Sequence, residues 1–185
     1  KNVLGADKEV ASLFLGIFSV GIAIGSVAVN RLLKGRVSAR FAPACVLIMG
    51  LFVVAFHFVC AGWAKPAAGE LYGIADFVYH PGAVPLLASL LGIAIAGGMF
   101  VVPLYAFLTT TVPKDKTART VAANNIVNTF AMVIGSVIAL GSSEMGVLIV
   151  NQLLLGAAMC LISAWLAVLL HRAEAPSDLP VKPTA

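Results

Sequence analysis

Charge is what this sequence has least of. Only 11% of its 185 residues are Asp, Glu, Lys or Arg, where a soluble domain carries about a quarter. With 61% hydrophobic residues and a mean hydropathy of +1.02, the chain has too little polar surface for a water-facing globule and belongs in a bilayer. Its net charge of +4 is therefore no nucleic-acid footprint; it has to be sorted loop by loop. Cysteine is also scarce. Cys45, Cys60 and Cys160 are odd in number, lie inside apolar runs and form no C-x-x-C pair. On one helix Cys45 and Cys60 would stand about 22 Å apart, too far to bond, so all three read as small packing residues. Histidine is equally sparse. Five residues after His57, His80 and His171 stand Gly62, Pro85 and Pro176. The H-x-x-x-x-D arrangement of phospholipid acyltransferases, in which a carboxylate orients the histidine base, is thus absent. No P-loop, G-x-S-x-G or metal-ligand cluster occurs either. The expectation is a protein that is not an enzyme and takes no cofactor or metal.

What is present is long apolar stretches. Runs at about 10–33, 41–64, 84–112, 118–140 and 145–170 each reach the roughly 20 residues a helix needs to span a membrane. Asp7 is the N-cap candidate for the first. An all-α membrane protein with five transmembrane helices follows, spanning 1–172, with a polar, Pro-containing tail or linker at 173–185.

Lys and Arg orient the bundle. Arg31, Lys34, Arg36, Arg40, Lys114, Lys116, Arg119, Arg172 and Lys182 fall on one side, Lys1, Lys8 and Lys65 on the other. The positive-inside rule puts the richer side in the cytoplasm, with the C-terminus inside and the N-terminus outside. An external start at Lys1, with no signal peptide, leads us to expect a fragment of a longer chain whose preceding helix is missing.

Several positions carry chemistry. Gly21 and Gly25 form a small-x-x-x-small pair, and Gly92, Gly97 and Gly98 with Ala94 and Ala96 make a smooth face on the third run; both suit close helix approach in lipid. Pro103 removes a backbone donor from that run and is expected to kink it, as a hinge or passively. Asn124, Asn125 and Asn128 open the fourth run. Asn124 and Asn128 share one helical face, about 9 Å and about 15 Å into the helix, so Asn128 reaches the midplane of a core about 30 Å thick. Amides at that depth should face the bundle interior. They either hydrogen-bond neighbouring helices, each bond worth about 0.6 kcal/mol, or meet a polar headgroup in a transport pathway. His57, alone in the second run, is either an interface histidine or a proton-coupling group. Glu144 is expected in a short turn, supporting the N-terminus of the next helix. The loop over 65–85, with Glu70, Tyr72, Asp76, Tyr79 and His80, either caps an external vestibule or is simply solvated.

Four stretches resemble a known family. "NRLLKGRVSAR" is similar to a degenerate form of the major facilitator superfamily loop motif G-x-x-x-D-R/K-x-G-R-R/K. Asn30 stands near its acidic position, and Arg31, Gly35 and Arg36 near its basic and glycine positions. The spacing is one residue loose and the acid is lost. "GGMFVVPLYAF" and "ARTVAANNIVN", with "LFLGIFSVGIAIGS" in the first run, resemble the lysophospholipid transporter branch, in particular versions fused to a phospholipid acyltransferase and an acyl-carrier-protein synthetase. The resemblance implies helices eight to twelve of a twelve-helix transporter. It also implies import or flipping of a lysophosphatidylethanolamine-like lipid across the bacterial inner membrane for re-acylation. The implied partners are the bilayer, the lysophospholipid, the N-terminal half of the same transporter and a fused or associated acyltransferase, with no nucleic acid. Asn124, Asn125, Asn128 and Tyr105 are then the candidate substrate pathway, with Pro103, Gly97, Gly98, Gly21 and Gly25 as hinge or packing positions. An exporter of another small molecule and a non-transporting scaffold subunit are the alternatives.

Overall fold

Asp7 begins the first helix as its sequence suggests. Its carboxylate accepts hydrogen bonds from the backbone N–H groups of Glu9 (2.9 Å) and Val10 (3.1 Å), satisfying donors that a helix start leaves free. In the computed structural model, which describes residues 3–34, 38, 40–64, 71–110 and 112–174, six helices follow in order: α1 (Lys8–Leu32), α2 (Ala42–Ala61), α3 (Ile74–Tyr79), α4 (Ala83–Thr110), α5 (Lys114–Glu144) and α6 (Ile149–Glu174). Among the described residues the chain is 84% helical with no strand. All except α3 are long and apolar enough to cross a membrane, giving five candidate spans. The chain is an all-α protein of membrane-spanning type.

The spans form a row. α4 packs between α1 and α2, and α2 packs between α4 and α6. Glycine makes each seam possible. A Cβ on Gly25 would run into the carbonyl oxygen of Ile95. One on Gly21 would sit 2.5 Å from Ala94 Cβ, and one on Gly98 would sit 2.6 Å from the carbonyl oxygen of Ile22. The α1–α4 seam is therefore backbone against backbone, as small residues allow in lipid, where no hydrophobic force drives helices together. Gly92 meets the Phe52 ring between α4 and α2, at 2.6 Å from the position its Cβ would take. Gly50 meets Cys160 between α2 and α6, at 3.0 Å. Gly97, by contrast, has only Met49 Sδ at 3.8 Å, so the smooth face expected on α4 is used at Gly92 and Gly98 more than at Gly97.

Three expectations about boundaries change. First, α5 starts at Lys114 and ends at Glu144, not at about 118 and 140. Pro113 supplies a φ suited to a helix start, and Asp115 lies in the first turn, where negative charge favours the helix dipole. Second, Gly141, Ser142 and Ser143 do not stop the helix: Ser142 Oγ donates back to the Ile138 carbonyl at 2.8 Å. The break falls at Gly146, with φ +80, where Gly146 N–H bonds to the Ser143 carbonyl and Val147 N–H to the Ser142 carbonyl, the Schellman form of helix end. Glu144 is thus the last residue of α5 rather than a turn residue serving α6. Third, the 65–85 segment is more than a solvated loop. Its described part contains α3, whose Phe77 is fully buried edge-on to Phe14, ring centroids 5.5 Å apart. α6 continues to Glu174, past the expected 170; the rest of the tail lies outside the described residues.

At the same end of the bundle the chain before α1 is strapped down. Ala6 and Tyr72 form a parallel bridge: Tyr72 N–H donates to the Gly5 carbonyl (2.7 Å) and Asp7 N–H to the Tyr72 carbonyl (3.2 Å). Trp63 Nε1–H donates to the Leu4 carbonyl at 3.1 Å. Leu4, Ala6, Val10, Cys60, Trp63 and Phe77 belong to one buried cluster here.

Candidate functional site

α5 carries the amides, and it stands apart from the row. Among the described helices it touches only α4 and α6, and every residue over 122–138 is exposed. Ser143 Oγ, near its end, accepts a hydrogen bond from Gln152 of α6 at 2.8 Å. Asn124, Asn125 and Asn128 are all exposed, and none makes a side-chain hydrogen bond among the described residues. Of the two alternatives, bonding to a neighbouring helix is not seen among the described residues. The spacing argument placed them correctly on one helical element, but periodicity cannot say which helix a face will meet.

The stripe is longer than the three asparagines. Ala131, Gly135, Ala139 and Ser142 follow Asn124 and Asn128 at three- and four-residue steps, so all lie on one side of α5. Nothing lies within 4 Å of the position a Cβ on Gly135 would take. The same small-residue spacing that α1 uses against α4 is thus open on α5. The signal is legible in "NNIVNTFAMVIGSVIALGSS", where small residues continue the spacing that the amides begin. Beside the stripe, Asn125, Ile126, Thr129, Phe130 and Val133 line a groove of about 440 Å³, all contributed by α5 itself.

The other named positions scatter. Tyr105 is exposed on α4. Pro103 is buried within α4, which stays helical from Ala83 to Thr110 across it; without an N–H, Pro103 leaves the Met99 carbonyl no helical donor. Gly21, Gly25 and Gly98 form the α1–α4 seam. Asn30 and Arg31 lie exposed in the last turn of α1, while Gly35 and Arg36 lie outside the described residues. A left-handed residue does follow α1, but among the described residues it is Lys34, with φ +50.

His57 answers one open question. The ring is buried, and its Nδ1 lies 2.8 Å from the Val150 carbonyl at the start of α6. A carbonyl only accepts, so Nδ1–H donates, and the imidazole ties α2 to α6. A cleft of about 550 Å³ lies at this end, lined by Val3, Cys60, Trp63, Ser143, Val150 and Asn151 among others. Asn124, Asn125 and Asn128 do not line it. Among the described residues no group of three His, Cys, Asp or Glu is placed to hold a metal ion.

The geometry defines a polytopic helical membrane protein with glycine-built seams and, at its margin, a helix that carries three exposed asparagines. No family model, no curated protein and no solved structure matches the chain.

Proposed function

We propose that the chain is part of a secondary transporter that moves a lysophospholipid, of the lysophosphatidylethanolamine type, across a bacterial inner membrane. The observation that carries this reading is the stripe on α5. Asn124 and Asn128 lie inside a span-length helix, next in sequence to the glycine-rich, Pro103-bearing α4, and both are exposed, with no other described helix covering them. Amides in hydrocarbon need a protein or aqueous partner. A polar headgroup passing along α5, with the N-terminal half of the transporter closing the far side, supplies one. The choice of lysolipid rests on the sequence resemblance between Gly97 and Asn128. The reading gives the protein no enzymatic step of its own; re-acylation belongs to a fused or associated acyltransferase.

The test is uptake of labelled lysophosphatidylethanolamine into spheroplasts that express the full-length parent, against empty vector. Uptake competed by unlabelled lysolipid, but not by sugars or cationic drugs, supports the proposal. No uptake, with the protein shown to be in the membrane, overturns it in favour of an exporter of another small molecule or a scaffold subunit.

A further inference from the structure

The clasp at the head of α1 holds a histidine in a state that only the neutral ring can adopt. His80 lies between α3 and α4, outside the spans. Its Nδ1 stands 3.0 Å from the backbone nitrogen of Gly82. A backbone N–H can only donate, so Nδ1 must offer its lone pair, and the ring proton sits on Nε2. The ring stacks on Trp63, centroids 4.0 Å apart and planes 21° apart, and meets Tyr72 edge-on at 5.6 Å. Trp63 in turn stacks on Phe77 at 5.2 Å and holds the Leu4 carbonyl. Gly82 is pressed against the indole: a Cβ there would lie 2.9 Å from Trp63 Cζ3. One imidazole nitrogen therefore joins the start of α4 to the ring that pins the strap before α1.

We propose that His80 is a pH-operated latch on this clasp. A proton taken from water occupies Nδ1, so the imidazolium carries N–H on both nitrogens and faces Gly82 N–H donor to donor. That hydrogen bond is lost, and the turn from His80 to Ala83, which begins α4 with Ala83 N–H on the His80 carbonyl at 2.8 Å, opens or the ring rotates away. His57 gives the contrast within the same chain. Its Nδ1–H already donates to a carbonyl, so protonation leaves that bond intact. Tyr72 meets the His80 ring; of the elements at this end, α2 carries Cys60, α3 carries Asp76 and Tyr79, and the head of α1 carries Asp7, Lys8 and Glu9, while the first turns of α4, from Ala83 to Ser89, carry no charged or titratable side chain. Among the described residues no ion pair ties any of these to the imidazole. The change in charge is thus expressed through the Gly82 bond and the Trp63 stack.

The experiment uses the whole chain in lipid nanodiscs with Trp165→Phe, which leaves Trp63 as its one tryptophan. Trp63 fluorescence and hydrogen exchange of the 80–86 backbone are followed from about pH 8 to about pH 5, the range in which histidine changes charge. A one-proton quenching of Trp63 is expected, with exchange, corrected for its intrinsic pH dependence, rising about 2- to 12-fold, the population change that one hydrogen bond of ordinary net strength sets. His80→Asn keeps an acceptor near the Nδ1 position and cannot be protonated, so both responses should vanish. No transition, or the same transition in His80→Asn, overturns the proposal. Nitrogen-15 spectra of histidine-labelled chain give a check that needs no substitution at His80. A bare Nδ1 on His80 near pH 8 is expected, and a protonated one there overturns the latch outright.

Discussion

Gly25→Ala is the sharpest test of how the bundle is held. The added methyl has nowhere to go, because its position collides with the Ile95 carbonyl and lies 3.1 Å from Ile95 Cα. Backbone atoms cannot rotate aside as a side chain can, so α1 and α4 must separate along the seam that Gly21 and Gly98 also form. Overpacking of this kind costs about 1–3 kcal/mol. Against it stands the better helix propensity of alanine, up to about 1 kcal/mol. The net effect is destabilising, by as much as about 2 kcal/mol. At about 2–4 °C per kcal/mol for a chain of this size, Tm falls by up to about 8 °C. The chain carries its own reporter: Cys45, Cys60 and Cys160 are all buried, so a thiol-reactive fluorophore labels them only as the bundle opens. Gly16→Ala is the matched control, in the same helix with nothing within 4 Å, and it should leave Tm unchanged or raise it. If Gly25→Ala is as stable as Gly16→Ala, the α1–α4 seam is not backbone against backbone and the packing argument fails.

Other substitutions probe single bonds in the same labelling assay. His57→Leu removes the donor to the Val150 carbonyl while keeping apolar bulk, and should cost about 0.6 and at most about 1.7 kcal/mol; no loss of Tm would mean that the α2–α6 contact stands without it. Asp7→Ala strips the cap that accepts from Glu9 and Val10, and should cost about 0.5–2 kcal/mol, with Asp7→Asn recovering most of it. Topology follows from charge: in a chain whose native cysteines are replaced, a cysteine at Lys116 should label from the cytoplasmic side only, and one at Tyr79 from the outside only. The reverse pattern would refute the positive-inside assignment.

Much of the helical plan is legible because hydropathy alone marks spans. The five runs differ from the observed helices by only a few residues at most ends, and Asp7 declares itself through its position before an apolar run. The failures share a cause. Ser142 and Ser143 look like turn residues, but a hydroxyl can bond back to its own helix, as Ser142 does to Ile138, so composition misplaced Glu144. α3 went unseen because six residues carry too little periodicity; Phe77 becomes a core residue only through the aromatic rings of α1 and Trp63. The α1–α4 glycine contact was half visible. Gly21 and Gly25 announced a close approach, but nothing local says that their partners are Leu91, Ala94 and Ile95 of α4, about seventy residues on. For the candidate site the sequence delivers the helix that holds Asn124 and Asn128, while their partner is a tertiary fact; the depths counted from 118 shift with the observed start at Lys114.

That missing partner makes Asn128→Leu informative in two settings at once. In this chain Asn128 is exposed and its side chain makes no hydrogen bond among the described residues, so its replacement should leave the stability of the chain within about 0.5 kcal/mol of wild type and its Tm nearly unchanged. Insertion should be helped, since leucine is favoured over a polar group at the centre of a span. In the transporter proposed above, the same substitution deletes an exposed amide of α5 and should impair lysolipid uptake with the protein still in the membrane. A lowered Tm in the chain alone would mean that Asn128 bonds a helix of this bundle, which returns the asparagines to packing. Unchanged Tm together with unchanged uptake would remove Asn128 from the pathway. Only unchanged Tm with lost uptake fits an amide that acts outside the fold of its own chain. The Gly25 and Asn128 stripes share one spacing, so this contrast separates a seam that builds the bundle from a face that the bundle leaves open.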